Sequence, residues 1–283
     1  MGENIKAIRA RIKSVDSTRH ITKAMELVAA SKIRKAGARM EQSRFYKETM
    51  LDAFADISTE NSPYSKTRDR TLPSLYIIIA GDRGLAGGYN NSIFRSSLAL
   101  MHAGDYVLPI GKRSVDYFAR RSGFFRILSQ DFSSVETFGA QNSSDAAYLA
   151  KELYDSGKIR EVNLISTKFV SMLSSRPDIT YLLPLERLAE KRGTVGEKSA
   201  AVTEYEPNAE EILSALIPEY IAGVLYTSVV EAYASELASR RAAMDTATKN
   251  ADEMLGTLSL HYNRARQGAI TQEITEIVAG ANA

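Results

Sequence analysis

The chain has 283 residues, 44% of them hydrophobic and 25% charged, with 36 Lys and Arg against 34 Asp and Glu for a net charge of +2. That is the composition of an ordinary folded protein of one or two domains, and so balanced a charge gives no ground for general nucleic-acid binding. The absence of cysteine excludes disulfides, thiolate metal sites, cysteine nucleophiles and thiol redox switching.

Residues 2–62 contain no proline and read as one long amphipathic helix rich in Ala, Lys, Arg, Glu and Met, which are good helix formers. Ile5, Ile8, Ile12 and Val15 step by three and four residues, an a/d seam that continues through Ile21, Met25, Val28, Ile33, Ala36 and Met40. The short step after Val15 and the long one after Val28 predict local changes in coiled-coil winding. Asn61-Ser62-Pro63 ends the segment. Within residues 1–47 twelve basic side chains, from Lys6 to Lys47, face only Glu3, Asp16, Glu26 and Glu41. Such a basic helix is either a solvated surface or the track of an acidic protein partner. The first residues lack the apolar core of a secretory signal and the Arg/Ser richness of an organelle presequence, and no apolar run approaches the ~20 residues that span a bilayer. The expectation is a cytoplasmic protein, free to dock on a membrane complex.

Leu75 to Ala80 is a continuous apolar run, the mark of a buried central strand. Further strands are expected at 106–110, 124–128, 161–170 and 179–185, with helices at 91–102, 114–121 and 145–154 between them. Pro109 points to an edge position or a strand end. Strand and helix alternating at this spacing predict a small open α/β sheet over residues 70–200. Gly81, Gly84, Gly87 and Gly88 follow the first strand, where dinucleotide-binding loops sit, but the spacing is not G-x-G-x-x-G and no G-K-[ST] follows. The loop is a nucleotide cradle, a tight turn needing positive φ, or a turn held against another part of the molecule or a partner by Asp82 and Arg83. His20, His102 and His261 lack metal-ligand spacing, and no G-x-S-x-G elbow is present. No catalytic, cofactor-binding or metal-binding residue is therefore assigned, and no cofactor is expected.

Residues 208–283 read as a second long helix. Asn208 suits the N-cap and Glu211 the capping-box position, residues 186–206 lead into it, and only Pro218 interrupts it, near its start. Apolar residues recur from Leu213 to Val278, with small residues dominating the middle. At 1.5 Å per residue this helix would be on the order of 100 Å long, and the first roughly 85–90 Å. Neither is stable alone in water, so each needs a packing partner. Either the two wind together as an antiparallel pair, or Gly37, Gly223, Gly256 and Gly268 break them into the shorter helices of a bundle. The stretch from Ala265 to Ala283 is unusually apolar for a chain end. It packs on the chain's own body or enters an apolar hole in a partner.

Residues 21–32 (ITKAMELVAASK) and 262–277 (YNRARQGAITQEITEI) closely resemble the N- and C-terminal signatures of the gamma subunit family of F-type ATP synthases. Residues 82–88 (DRGLAGG) match a third, with Ala86 where many members have cysteine. The resemblance covers the whole chain in order. It implies an antiparallel two-helix coiled coil of the termini carrying an inserted Rossmann-like α/β domain, and a non-catalytic rotor on the cytoplasmic face of the bacterial plasma membrane. The partners it implies are the alpha and beta subunits of the head, the epsilon subunit and the membrane ring of c subunits. It places beta's catch-loop contacts on Arg264, Gln267 and Thr271, and contacts with beta's lever segments on Met25 and Arg240. An α/β nucleotide-binding enzyme with helical arms and a static coiled-coil scaffold are the competing readings.

Overall fold

The computed structural model describes residues 2–56, 62–65, 68–172, 174–187 and 209–281. Helix α1 (Gly2–Asp56) precedes β1 (Leu75–Ile79), α2 (Tyr89–Leu98), β2 (Tyr106–Ile110), α3 (Lys112–Ala119), β3 (Arg126–Ile127), α4 (Ala140–Asp155), β4 (Val162–Ser171) and β5 (Ser174–Leu183); α5 (Ala209–Ala281) closes the chain. Both long helices are unbroken, 55 and 73 residues. None of Gly37, Gly223, Gly256 or Gly268 interrupts them, and Pro218 is carried inside α5. Asn61, Asn208 and the link over 188–206 lie outside the described residues. The chain forms two compact units, Met1–Ser31 with Arg240–Ala283, and Lys32–Ser239.

In the first unit the helices run antiparallel. The hydroxyls of Thr22 and Thr248 lie 2.8 Å apart, and Arg19 reaches Asp252 at 3.6 Å. The observed seam differs from the expected one: Ile21 and Val28 are 58% and 57% exposed, whereas Thr22 and Ala29 are buried at 8% and 2%. Steps of three and four residues then continue without a break through Val15, Arg19, Thr22, Glu26, Ala29 and Ile33. The predicted change of winding rested on taking the bulkiest apolar side chains for the seam. At its most buried positions in this unit, Thr22 and Ala29, small side chains occupy it instead, which lets the backbones approach, while Ile21 and Val28 face outward.

The second unit is built on a five-stranded sheet of order β3-β2-β1-β4-β5. β1 to β4 are parallel, and β5 returns antiparallel to β4. Alternate residues of the buried β1 serve opposite faces. Leu75, Ile77 and Ile79 join Ala146, Ala150 and Tyr154 of α4 and Leu213, Ile217, Tyr220 and Ile221 of α5. Tyr76 and Ile78 join Ile93 and Phe94 of α2 and Phe118 of α3. Each fully buried Ile or Leu here contributes on the order of 2 kcal/mol. Ile33, Ala36 and Met40 of α1 pack on Ala234, Leu237 and Ala238 of α5 in a separate cluster.

One strand reading needs correction. The fifth strand begins at Ser174 rather than Ile179, because its first half pairs with β4 as an exposed polar hairpin without apolar alternation. Pro109 lies at a strand end, next to the last residue of β2, and not at a sheet edge, so the second of its two readings is the one observed. Tyr106 donates to Ser74 of the β1 side, while Gly111 donates to Phe132 on the opposite side. Even-numbered amides thus serve β1, and the missing amide at Pro109 points where β3, paired only to Tyr106 and Val107, has already ended. Helix α5 is also long and apolar enough, by length and composition, to cross a bilayer, contrary to the sequence expectation; most of that stretch is buried inside the protein, as in a core helix.

Candidate functional site

In the first unit the seam of α5 runs through half-buried Leu255, Leu258, Tyr262, Ala265 and Ala269. Every described residue from Ile270 to Ala281 is exposed. Ile270, Ile274, Ile277 and Val278, at 46–66% exposure, recur at helical spacing and form an apolar stripe on an unpartnered turn-by-turn surface. From Ile270 onward the described part of the tail therefore does not pack on the chain's own body, whereas Ala265 and Ala269 still belong to the seam. Arg264, Gln267 and Thr271 are likewise exposed, and their spacing of three and four residues puts them on one face. The Thr271 hydroxyl donates to the Gln267 carbonyl at 2.9 Å. Met25 is half-buried. Arg240 is 8% exposed and has a polar partner within the chain. By helical rise these two stand roughly 25–35 Å along the pair from Arg264, so the structure groups three of the five expected contacts and separates the other two.

The basic character of α1 is only partly a surface. Arg9, Arg11, Lys13, Arg34, Lys35 and Arg39 are exposed, with no ion-pair partner among the described residues. Lys32 instead donates to Glu136 at 2.5 Å, and that hydrogen bond holds the Glu136 carboxyl below its usual range. Lys47 is buried. Its ammonium donates to Ser228 at 2.9 Å and lies 4.0 Å from Glu231. Glu231 also accepts from Arg44 at 2.9 Å and from the Phe169 amide at 3.1 Å. One carboxylate of α5 thereby ties two cations of α1 to the end of β4. A buried lysine has no distinguishing pattern in a basic helix; the only sequence signal was Glu231 itself, an acid amid apolar and small residues.

Burial pushes the Lys47 ammonium below its ordinary value of 10.5, with Glu231 opposing the shift. Between the folded value and 10.5 the unfolded chain holds a proton that the native chain has released, so this group's contribution to stability rises with pH across that window. Wild type should gain stability relative to Lys47→Met as pH is raised toward 10.5, measured by urea unfolding at a series of pH values. A pH-independent difference would contradict the burial.

The first half of the glycine loop is tied to the molecule itself, whereas Gly84 to Gly87 border a cavity of about 470 Å³ together with Arg113, Arg120 and Arg121. Positive φ falls at Leu85 and Gly87, not at Gly81 or Gly84. Gly81 is needed for close approach: a Cβ there would sit 2.6 Å from the Glu236 carboxylate carbon. The Gly81 amide donates to Asn90 at 2.8 Å. Asp82 accepts from the amides of Val135 at 2.8 Å, Glu136 at 3.2 Å and Lys112 at 3.3 Å. The Tyr89 hydroxyl donates to the Ala232 carbonyl at 2.9 Å. In a sheet of this order a nucleotide would bind beyond the C-terminal ends of β1 and β4, where the strand order reverses. Here the Glu236 side chain fills the space beside Gly81 at the end of β1, and Glu231 at the end of β4 is taken up with Arg44, Lys47 and the Phe169 amide. Of the three readings of this loop, the contacts of Asp82 bear out the turn held within the molecule, and positive φ at Gly87 bears out the tight turn at that glycine. Among the described residues no cluster of metal-ligating side chains occurs.

The family model described as ATP synthase matches residues 4–283. The chain is 39% identical over its whole length to the ATP synthase gamma chain of Ruminiclostridium cellulolyticum, covering 99% of that protein. It is 41% identical to that of Ruminococcus albus, over 97% of this chain and 96% of the relative. Its fold is similar to a chain in the OSCP/F1/c-ring structure of Euglena gracilis mitochondrial ATP synthase, with a TM-score of 0.72 at 17% identity over 100% of this chain and 95% of that one. With its unbroken terminal helices, its inserted sheet and this full-length likeness, the chain belongs to the ATP synthase gamma chain family.

Proposed function

We propose that the chain is the central-stalk rotor of an F-type ATP synthase. It couples ion flow through the c-ring to ATP synthesis or hydrolysis at the beta subunits, and carries no catalytic site of its own. Its partners are the alpha/beta head, the epsilon subunit and the c-ring, and it works as a peripheral protein on the cytoplasmic face of a bacterial plasma membrane. Family membership supports the role. The observation that carries the mechanism is the run of α5 past its seam, where an exposed helix presents Ile270, Ile274, Ile277 and Val278. Apolar contacts are non-directional, so such a surface can turn inside an apolar sleeve without breaking a fixed set of hydrogen bonds. At its start, Arg264, Gln267 and Thr271 supply directional contacts on one face, and Met25 and Arg240 are assigned to the lever segments of beta. Exposed polar contacts contribute about 0.2–1 kcal/mol each, weak enough to be made and released in every cycle.

The test is the double variant Arg264→Ala with Gln267→Leu, co-expressed with the alpha, beta and epsilon subunits and the membrane sector. Assembly should survive on the apolar contacts, while proton- or sodium-coupled ATP turnover falls by roughly two- to tenfold. Unchanged turnover would remove these residues from torque transfer. Rotation of a bead on the shaft, watched during ATP hydrolysis, separates the rotor from a static scaffold.

A further inference from the structure

The place where a sheet of this strand order ordinarily takes a ligand is filled by the chain's own helix α5. Three exits at the C-terminal edge of the parallel strands reach the same short stretch of it, Glu231 to Glu236, about 8 Å of helix. From the end of β1 the Tyr89 hydroxyl donates to the Ala232 carbonyl at 2.9 Å, and Gly81 closes on the Glu236 side chain. From the loop between β3 and α4, Glu136 accepts from the Tyr233 hydroxyl. From the end of β4 the Phe169 amide donates to Glu231 at 3.1 Å. Helix α1 is drawn into the same belt: Lys32 donates to Glu136 at 2.5 Å, and Arg44 donates to the Phe169 carbonyl at 3.1 Å and to Glu231 at 2.9 Å. All of these residues lie in the second unit. Burial first and the charge of Glu136 second push the Tyr233 phenol above its ordinary range, so it stays protonated and keeps donating.

Leu213, Ile217, Ile221, Val224 and Leu225 of α5 also join the core of the sheet. Apolar contact resists separation but is non-directional, so it offers little against a helix that turns or slides in its bed. A hydrogen bond is confined to a narrow range of distance and angle and does oppose such shear. We propose that residues 231–236 of α5 are the junction through which the sheet drives the helix pair, with Tyr89, Tyr233 and Glu231 as positioning residues that stop the two from slipping under load. This rests on the rotor reading: torque entering at the sheet has to cross to the helices, and in this belt bonds of fixed direction span that boundary from three sides.

The double variant Tyr89→Phe with Tyr233→Phe removes two hydroxyls and leaves the rings in place. Tyr76→Phe is its control: that hydroxyl likewise donates to a backbone carbonyl, Leu100 at 3.0 Å, but in the core on the opposite face of the sheet. Each variant is assembled with the alpha, beta and epsilon subunits and the membrane sector. ATP hydrolysis by the complex freed of its membrane sector is compared with ion-driven ATP synthesis in membrane vesicles. Hydrolysis by the freed complex puts no load on the sheet, so the double variant should hydrolyse ATP at the wild-type rate while synthesis falls by about three- to tenfold. Each single variant should fall by less, and Tyr76→Phe should change neither rate. If the double variant does not assemble, the two single variants decide by the same comparison. The inference is overturned if synthesis is unchanged, if hydrolysis falls in parallel with it, or if Tyr76→Phe lowers synthesis as much as the double variant. Bead rotation in the wild-type complex keeps the two readings apart. Without rotation the rotor itself falls and the junction with it; with rotation and unaltered synthesis in the variants, only the junction falls.

Discussion

Replacing Glu231 by alanine should lower the unfolding free energy by about 3–5 kcal/mol, the scale of removing one partner from a buried ion pair. The loss is concentrated at Lys47, which stays buried beside Ser228 with only the weaker influence of Asp178 and Glu48 to offset its charge, and at the Phe169 amide, which loses its acceptor. Arg44, 43% exposed, turns to water at little cost. The double variant Glu231→Leu with Lys47→Met removes charge and orphan together and should be clearly more stable than Glu231→Ala in urea unfolding. A double variant no better than the single one would show that the ion cluster is not what joins α1 to α5 at this level. Because the same carboxylate also holds the end of β4, the single variant should loosen the sheet's grip on both helices within the second unit.

Gly111→Ala should be comparably severe, about 3–5 kcal/mol, from left-handed strain and overpacking together. Gly111 has φ +89, and a Cβ there would lie 2.0 Å from the Ala80 carbonyl oxygen and 2.7 Å from Val135. Neither neighbour is a flexible side-chain end: one is backbone of the β1 exit and the other belongs to the loop that Asp82 holds. The Gly111 amide also donates to Phe132 at 2.8 Å, so any shift pulls on the knot that seats Glu136 against Lys32. With total stabilities of about 5–15 kcal/mol for natural domains, soluble yield and thermal midpoint should both fall sharply. Lys112→Ala, at the exposed next position, should change stability by no more than about 0.5 kcal/mol. A Gly111→Ala protein with a wild-type midpoint would mean that the β2 exit relaxes freely, against the contacts observed.

The long helices were legible because their apolar spacing persists over many turns and nothing but Pro218 contradicts it. β1 was legible as five consecutive buried residues, Leu75–Ile79. What hydrophobicity could not show was where small or polar residues do the packing. Thr22 and Ala29 hold the seam while Ile21 and Val28 face outward, since close helix approach rewards small volume over apolar area. The outer half of the β4–β5 hairpin is exposed and polar, so it carries no alternation to read. Lys47 looked like any other cation of a basic helix, because its countercharge is distant in sequence and adjacent only after folding. Arg264, Gln267 and Thr271 were grouped by motif and then by helical geometry; the remaining pair, Met25 and Arg240, has no such geometric support.

The uncovered apolar end of α5 bears on how the subunit is made. A newly synthesised copy presents Ile270, Ile274, Ile277 and Val278 to water, a contiguous greasy strip of the kind that drives self-association and attracts quality-control machinery. Its safe lifetime alone is therefore short, and its abundance has to be matched to that of whatever sheathes the strip. Biogenesis in which the sleeve closes around the tail soon after translation keeps the strip from becoming a nucleus for precipitation.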